Sequence, residues 1–323
     1  MSNADWSPRA RTLDAVRGHV PLGILDFELL AAVLDSPTPL GVSAGDTFGP
    51  SRAGAQLYGL LGSWPIDPLL KIEVTALARV ARGAELGPDL SRFSQARAEG
   101  ETYVASLRVS GDSRGWKYDL EGAYQFGNAK GLGFGSQGAD RAAFAFAGYL
   151  QKSFDQLLLT PALRVGGAYA SGDDGGSKYK QFDPILADVH TLHGAMDSFA
   201  WSNLAEVSAR ATVTPFTETR LSLEYRYARL VEASSEWVGA YLGAIGSAPG
   251  SSEGELGHEL DLAMAWRPWP ALGLVGGYSA LLLGDGARTI LAAQARGRAQ
   301  ADGTFAPAAV ATLGYLQATL TIP

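Results

Sequence analysis

The chain reads as an all-β, transmembrane antiparallel barrel. Three observations say so: a period of two in apolar and polar residues from end to end, segments long enough to cross a bilayer as tilted strands, and connections that alternate short and long. Composition permits this. Hydrophobic residues make up 46% and charged residues 18% of the 323, which argues against a disordered chain. No apolar run reaches the roughly 18 residues of a membrane-spanning helix. Mean hydropathy lies near zero, which suits a soluble globule or strands that show lipid only one face. The 40 glycines and abundant aromatics favour β structure. The absence of cysteine removes disulfides, thiolate metal sites and cysteine nucleophiles. A net charge of −7 argues against nucleic acid as a partner.

About thirteen strands are expected, near 11–20, 24–34, 53–64, 69–81, 100–110, 115–127, 140–151, 157–170, 199–213, 219–231, 256–267, 271–283 and 308–322. In the fourth, Leu70, Ile72, Val74, Ala76 and Ala78 oppose Lys71, Glu73, Thr75 and Arg79. In the sixth, Tyr118, Leu120, Tyr124 and Phe126 oppose Lys117, Asp119, Glu121 and Gln125. From Trp201 to Val213, Ala205, Val207, Ala209 and Ala211 share a face against Ser202, Glu206, Ser208, Arg210 and Thr212. Leu221, Leu223, Tyr225 and Tyr227 follow against Arg220, Ser222, Glu224 and Arg226. Leu260, Leu262, Met264 and Trp266 then oppose Glu259, Asp261 and Arg267. A helix would need a period of 3.6, and none of these segments has it. Most reach the roughly 9–11 residues that cross a bilayer as a tilted strand, whereas soluble strands run nearer five or six.

Short turns are expected at Pro21–Gly23, Pro65–Pro68, Gly111–Arg114, Ser153–Gln156, Pro215–Glu218 and Pro268–Pro270. Long polar loops fall at about 35–52, 82–99, 128–139, 171–198, 232–255 and 284–307. Short turns on one rim and long loops on the other are the outer-membrane pattern. Trp64, Trp116, Trp201, Trp266 and Trp269 lie near strand ends, as an interfacial girdle or simply as caps on a core.

Other motifs carry less. Gly133–Gly138 matches GxGxxG, but a period of two follows it instead of a helix, so it reads as a loop tip. His190 and His193 share a loop with Asp173, Asp174 and Asp183, where a divalent cation competes with plain solvated acids; no metal or other cofactor is expected. Asp119 with Glu121, and Glu259 with Asp261, are carboxylate pairs on one face of one strand. Such a pair does not grip a sugar from opposite sides, so no catalytic residue is assigned. Residues 289–301 form a candidate helix in the last loop.

Several stretches resemble the alginate-export family of outer-membrane porins. They are Asp5–Arg17, Ser171–Asp174 with Phe182-Asp183-Pro184, His193-Gly194, Asp197-Ser198-Phe199, and Gly257–Leu262 with Arg267-Pro268 and Gly277-Tyr278-Ser279. The resemblance implies integration in the bacterial outer membrane and a channel for an anionic polysaccharide, in a barrel of eighteen strands. Outer-membrane lipid and the polymer are then the partners, with periplasmic export machinery a third candidate. The chain is read as one barrel domain over residues 1–323, the C-terminal part of the whole with the first strands and the signal peptide missing. Two free sheet edges are therefore expected, near 11–20 and 308–322. Two features depart from the family's pattern: the ending Thr321-Ile322-Pro323 is not aromatic, and every periplasmic turn is short.

A pore for a uronate polymer needs fixed positive charge, and arginine stays charged and forks onto carboxylate. The lumen-facing candidates are Arg79, Arg108, Arg164, Arg210, Arg220, Arg226 and Arg267. Acidic residues share their faces, so cross-strand ion pairs that stiffen a wet interior are the competing reading. A general small-solute porin and a barrel-embedded hydrolase remain alternatives.

Overall fold

The computed structural model describes residues 14–39, 52–82, 91–131, 134–135, 137–186, 193–298 and 308–321. Residues 5–13 of the family resemblance, and His190, lie outside them. The strands are β1 (Asp14–Leu22), β2 (Leu25–Pro39), β3 (Arg52–Asp67), β4 (Leu70–Arg82), β5 (Gly100–Ser113), β6 (Trp116–Ala129), β7 (Ala139–Ser153), β8 (Ala162–Ala170), β9 (Lys178–Tyr179), β10 (Leu204–Phe216), β11 (Thr219–Leu230), β12 (Trp237–Val238), β13 (Ala244–Gly246), β14 (Glu255–Trp269), β15 (Leu272–Leu283) and β16 (Val310–Leu320). Two helices, α1 (Arg92–Ala98) and α2 (Asp285–Arg298), lie in long loops.

Thirteen strands make one antiparallel meander in the order β1-β2-β3-β4-β5-β6-β7-β8-β10-β11-β14-β15-β16. The two-residue β9 adds to β7 in parallel, giving a 14-stranded sheet, and β12 pairs with β13 apart from it. The sheet does not close: among the described residues β1 bonds only to β2 and β16 only to β15. The two free edges are where the sequence puts them.

Two strands begin later than the alternation suggests. Residues 157–160 turn, with Leu159 and Thr160 at φ +67° and +39°, so β8 starts at Ala162. Phe199 to Asn203 fold inward, so β10 starts at Leu204. Here Asn203, at φ +49°, bonds through its side chain to the backbone of Glu232. The short turns are tight. Arg114 and Gly115, at φ +51° and +76°, give the double left-handed pair of a hairpin whose twist matches its strands.

The period of two becomes two faces. Leu120, Phe146, Val165, Val207, Leu223 and Leu262 are exposed on the outer face. Their neighbours Gln125, Ala145, Glu206, Glu224 and Asp261 are buried on the inner one. A contiguous apolar exterior of this kind is the lipid-facing band of a membrane barrel. Trp64, Trp116, Trp266 and Trp269 are exposed at the short-turn ends of β3, β6 and β14. Trp201 is not part of that girdle: it packs inside on Phe182 and donates its indole N–H to Tyr169 O at 3.1 Å.

The core lies between the inner wall and the long loops. Phe182 and Ile185 pack on Leu57, Val104 and Ala145, Phe93 of α1 packs on Ala200 and Val238, and Ile290 of α2 joins Phe199, Leu230 and Trp237. The loop side chains thus fill what would otherwise be open lumen.

Candidate functional site

The inner wall is a track of arginine and carboxylate set by strand register. Arg226 is opposite Glu259 on β14 and Ser208 on β10, and Glu224 is opposite Arg210 and Asp261. The Arg226 guanidinium, 3% exposed, bridges Glu206 at 2.7 Å and Glu224 at 3.2 Å. Arg210 holds Glu224 from the other side. Arg108 forks onto Asp119 and also reaches Glu73 at 3.5 Å, while Lys71 takes Glu73 at 2.8 Å. These three arginines therefore sit in cross-strand pairs.

Arg79 is buried and does not line open lumen. Its Nη2 donates to Arg97 O at the end of α1. Arg141, which the sequence reading passed over, donates to Ala96 O at 3.0 Å. Two cations thus face the carbonyl end of α1, where the helix dipole favours them. Arg220, on the face of Glu224 and Arg226, and Arg267, in the bulge between Trp266 and Trp269, lie close to the short turns, exposed, and neither makes an ion pair among the described residues.

Arg164 differs from the rest. It faces inward from β8, directly opposite Arg210 and Gln151. Like charges opposite each other are unfavourable, and Arg210 is already held by Glu224. Arg164 stacks 3.9 Å from the centroid of Tyr149 and has no carboxylate partner among the described residues, and its Nε is buried without a hydrogen-bond partner. It lines a cavity of 240 Å³ together with Arg108, Asp119, Tyr149, Trp201 and Glu206.

The resemblance-bearing loop closes over this wall. The carboxylate of Asp183 pairs with Arg97, and its backbone is bonded both ways by buried Gln125, at 2.6 and 2.9 Å. Asp173 holds Arg92 at 2.9 Å, and burial still pushes its carboxyl above the ordinary range. Asp174 is exposed and held low by Lys180. His193 Nδ1 lies 3.0 Å from Glu206 Oε1. The loop acids considered for a cation are therefore bound by basic side chains, and no cluster of three metal-ligating side chains occurs among the described residues. Gly133 and Ser136 of the GxGxxG match lie outside the described residues, and Gln137-Gly138 leads directly into β7, a strand and not the helix that a dinucleotide phosphate needs. The sequence offered one signal for Gln125, an uncharged amide at an inward position. It offered none for α1, whose seven residues make too few turns to show a period.

A model of the alginate export family matches residues 83–299. No curated protein matches. Among solved structures, the porin OccK11 (OpdR) of Pseudomonas aeruginosa aligns over 86% of this chain and 67% of its own, at 15% identity and a TM-score of 0.50. That likeness shows the fold. The siderophore receptor PirA of Acinetobacter baumannii aligns over 84% of this chain and 40% of its own, at 15% identity and a TM-score of 0.41.

Proposed function

The chain belongs to the alginate export family and is an outer-membrane channel protein, and from that premise we propose that it passes an anionic polysaccharide or oligosaccharide such as alginate. The observation that carries the proposal is Arg164: a guanidinium on the inner wall, stacked on Tyr149 at a 240 Å³ cavity, with no carboxylate of its own. Arg220 and Arg267 extend the unpaired charge toward the short-turn rim. A uronate carboxylate can dock on these groups in turn, while Arg108, Arg210 and Arg226 chiefly hold strands together. The wall supports diffusion past fixed charges with no chemical step.

The lipid partner meets the apolar outer face, and the short-turn rim faces any periplasmic export machinery. In lipid each unpaired backbone group costs several kcal/mol, so we further propose that additional strands pair with β1 and β16 and complete a single barrel domain. The many internal ion pairs favour a second reading, a small-solute porin with a stiffened wall and no polymer preference.

One substitution separates the two readings. Arg164→Gln removes the charge and leaves a shorter, still polar side chain. A charge-assisted hydrogen bond contributes about 1.5–3 kcal/mol, so the variant should weaken block by an oligouronate at least about 10-fold while open conductance changes little. Unchanged block in planar bilayers would leave the small-solute reading.

A further inference from the structure

We propose that the buried carboxyl pair Glu259 and Asp261 latches the 193–199 loop inside the lumen through its backbone N–H groups, releasing it as pH rises. This regulation takes its functional meaning from the channel reading above, but the latch itself is a property of the loop.

Both residues face inward from β14, 1% and 8% exposed. They lie two positions apart on one face, so their carboxyls are neighbours. Neither makes an ion pair among the described residues. Glu259 Oε2, Asp261 Oδ1 and the hydroxyl of Ser279, opposite Asp261 on β15, are buried without a hydrogen-bond partner. What the pair does hold is loop backbone. Met196 N–H donates to Glu259 at 3.1 Å and Ala195 N–H to Asp261 at 3.4 Å. Gly194 makes that approach possible. It sits at φ +97°, and a Cβ there would lie 2.5 Å from Glu259 Oε1.

The surroundings lack positive charge to match. On β11 and β10, Arg226 is committed to Glu206 and Glu224, and Arg210 to Glu224. On the loop, His193 faces Glu206. From β15 and β16 come only the Ser279 hydroxyl and the phenol of Tyr315. Four carboxyl groups thus meet two guanidiniums and one imidazole where water is excluded. Two adjacent buried carboxyls cannot both ionise without a counter-charge, and a shared proton supplies it. Losing that proton leaves a buried dianion, which is relieved when the loop departs and water enters. The latch is therefore closed at low pH and open at high pH. The loop is also held by the contact of His193 Nδ1 with Glu206 Oε1, so the test must separate that contact from the carboxyl pair.

Amide hydrogen exchange of residues 193–199 in detergent-solubilised protein, corrected for intrinsic rates, reads the latch directly. Wild-type protection should fall about 10-fold or more between about pH 6 and about pH 9. Glu259→Gln and Asp261→Asn, neutral at every pH, should keep the loop protected throughout. Gly194→Ala should leave it unprotected at both ends, and His193→Gln should retain the wild-type pH dependence. Migration in unheated gels checks that each variant folds. Protection independent of pH in wild type, a pH step surviving in both carboxamide variants, a step lost in His193→Gln, or protection that depends on added calcium at fixed pH would each overturn the proposal. A loop that switches in a protein that blocks no polyanion would leave the latch standing and remove only the channel reading.

Discussion

Arg226→Ala is expected to lower stability by about 3–5 kcal/mol, the range for breaking a buried ion pair from one side. The guanidinium is almost fully buried and serves two carboxylates on two strands. Removing it leaves Glu206 with only His193, and Glu224 with only the half-exposed Arg210. Their desolvation cost stays while the compensating charge is gone. Arg226→Lys should recover part of the loss, since one ammonium can meet one carboxylate but cannot fork to both. The urea midpoint of reversible unfolding in a lipid bilayer reads this. A loss below about 1 kcal/mol for Arg226→Ala would mean that water reaches the network freely.

Replacing Arg164, Arg220 and Arg267 together with Gln should turn an anion-preferring pore into a cation-preferring one with little change in stability. These three have neither an ion pair among the described residues nor a helix carbonyl to hold them, and the acids that remain without an ion pair include Glu121, held by the Ser106 hydroxyl, and the Glu259–Asp261 pair. The arginines in cross-strand pairs contribute much less to the field, because their partners cancel them at a distance. Reversal potential under a salt gradient measures the change. A reversal potential that keeps its sign in the triple variant would place the selecting charge elsewhere.

The strands were legible because a period of two over nine or more residues leaves little competition from helix. Leu221 to Arg226 fix register and face by themselves, since a slip of one residue would put Arg226 in lipid. The loops were not legible. Trp201 looked like a girdle residue because it lies where a strand was expected to begin. Its true place inside depends on Asn203 turning the backbone and on Phe182 arriving from nineteen residues upstream. The arginine track was legible as a set of inward positions but not as a division of labour. Pairing depends on which strands become neighbours, and β8 beside β10 leaves Arg164 facing Arg210 with no acid to share. Arg79 shows the same limit, because α1, which accepts its hydrogen bond, gave no sequence signal.

Single-channel recording of the wild-type protein with matched oligosaccharides tests the central claim most directly. A uronate oligomer and a neutral oligomer of equal length are added in turn to the same reconstituted pore. Transient block by the uronate oligomer alone is expected, weakening steeply as salt screens the wall charge. Equal block by both oligomers, or no block by either at low salt, would contradict it.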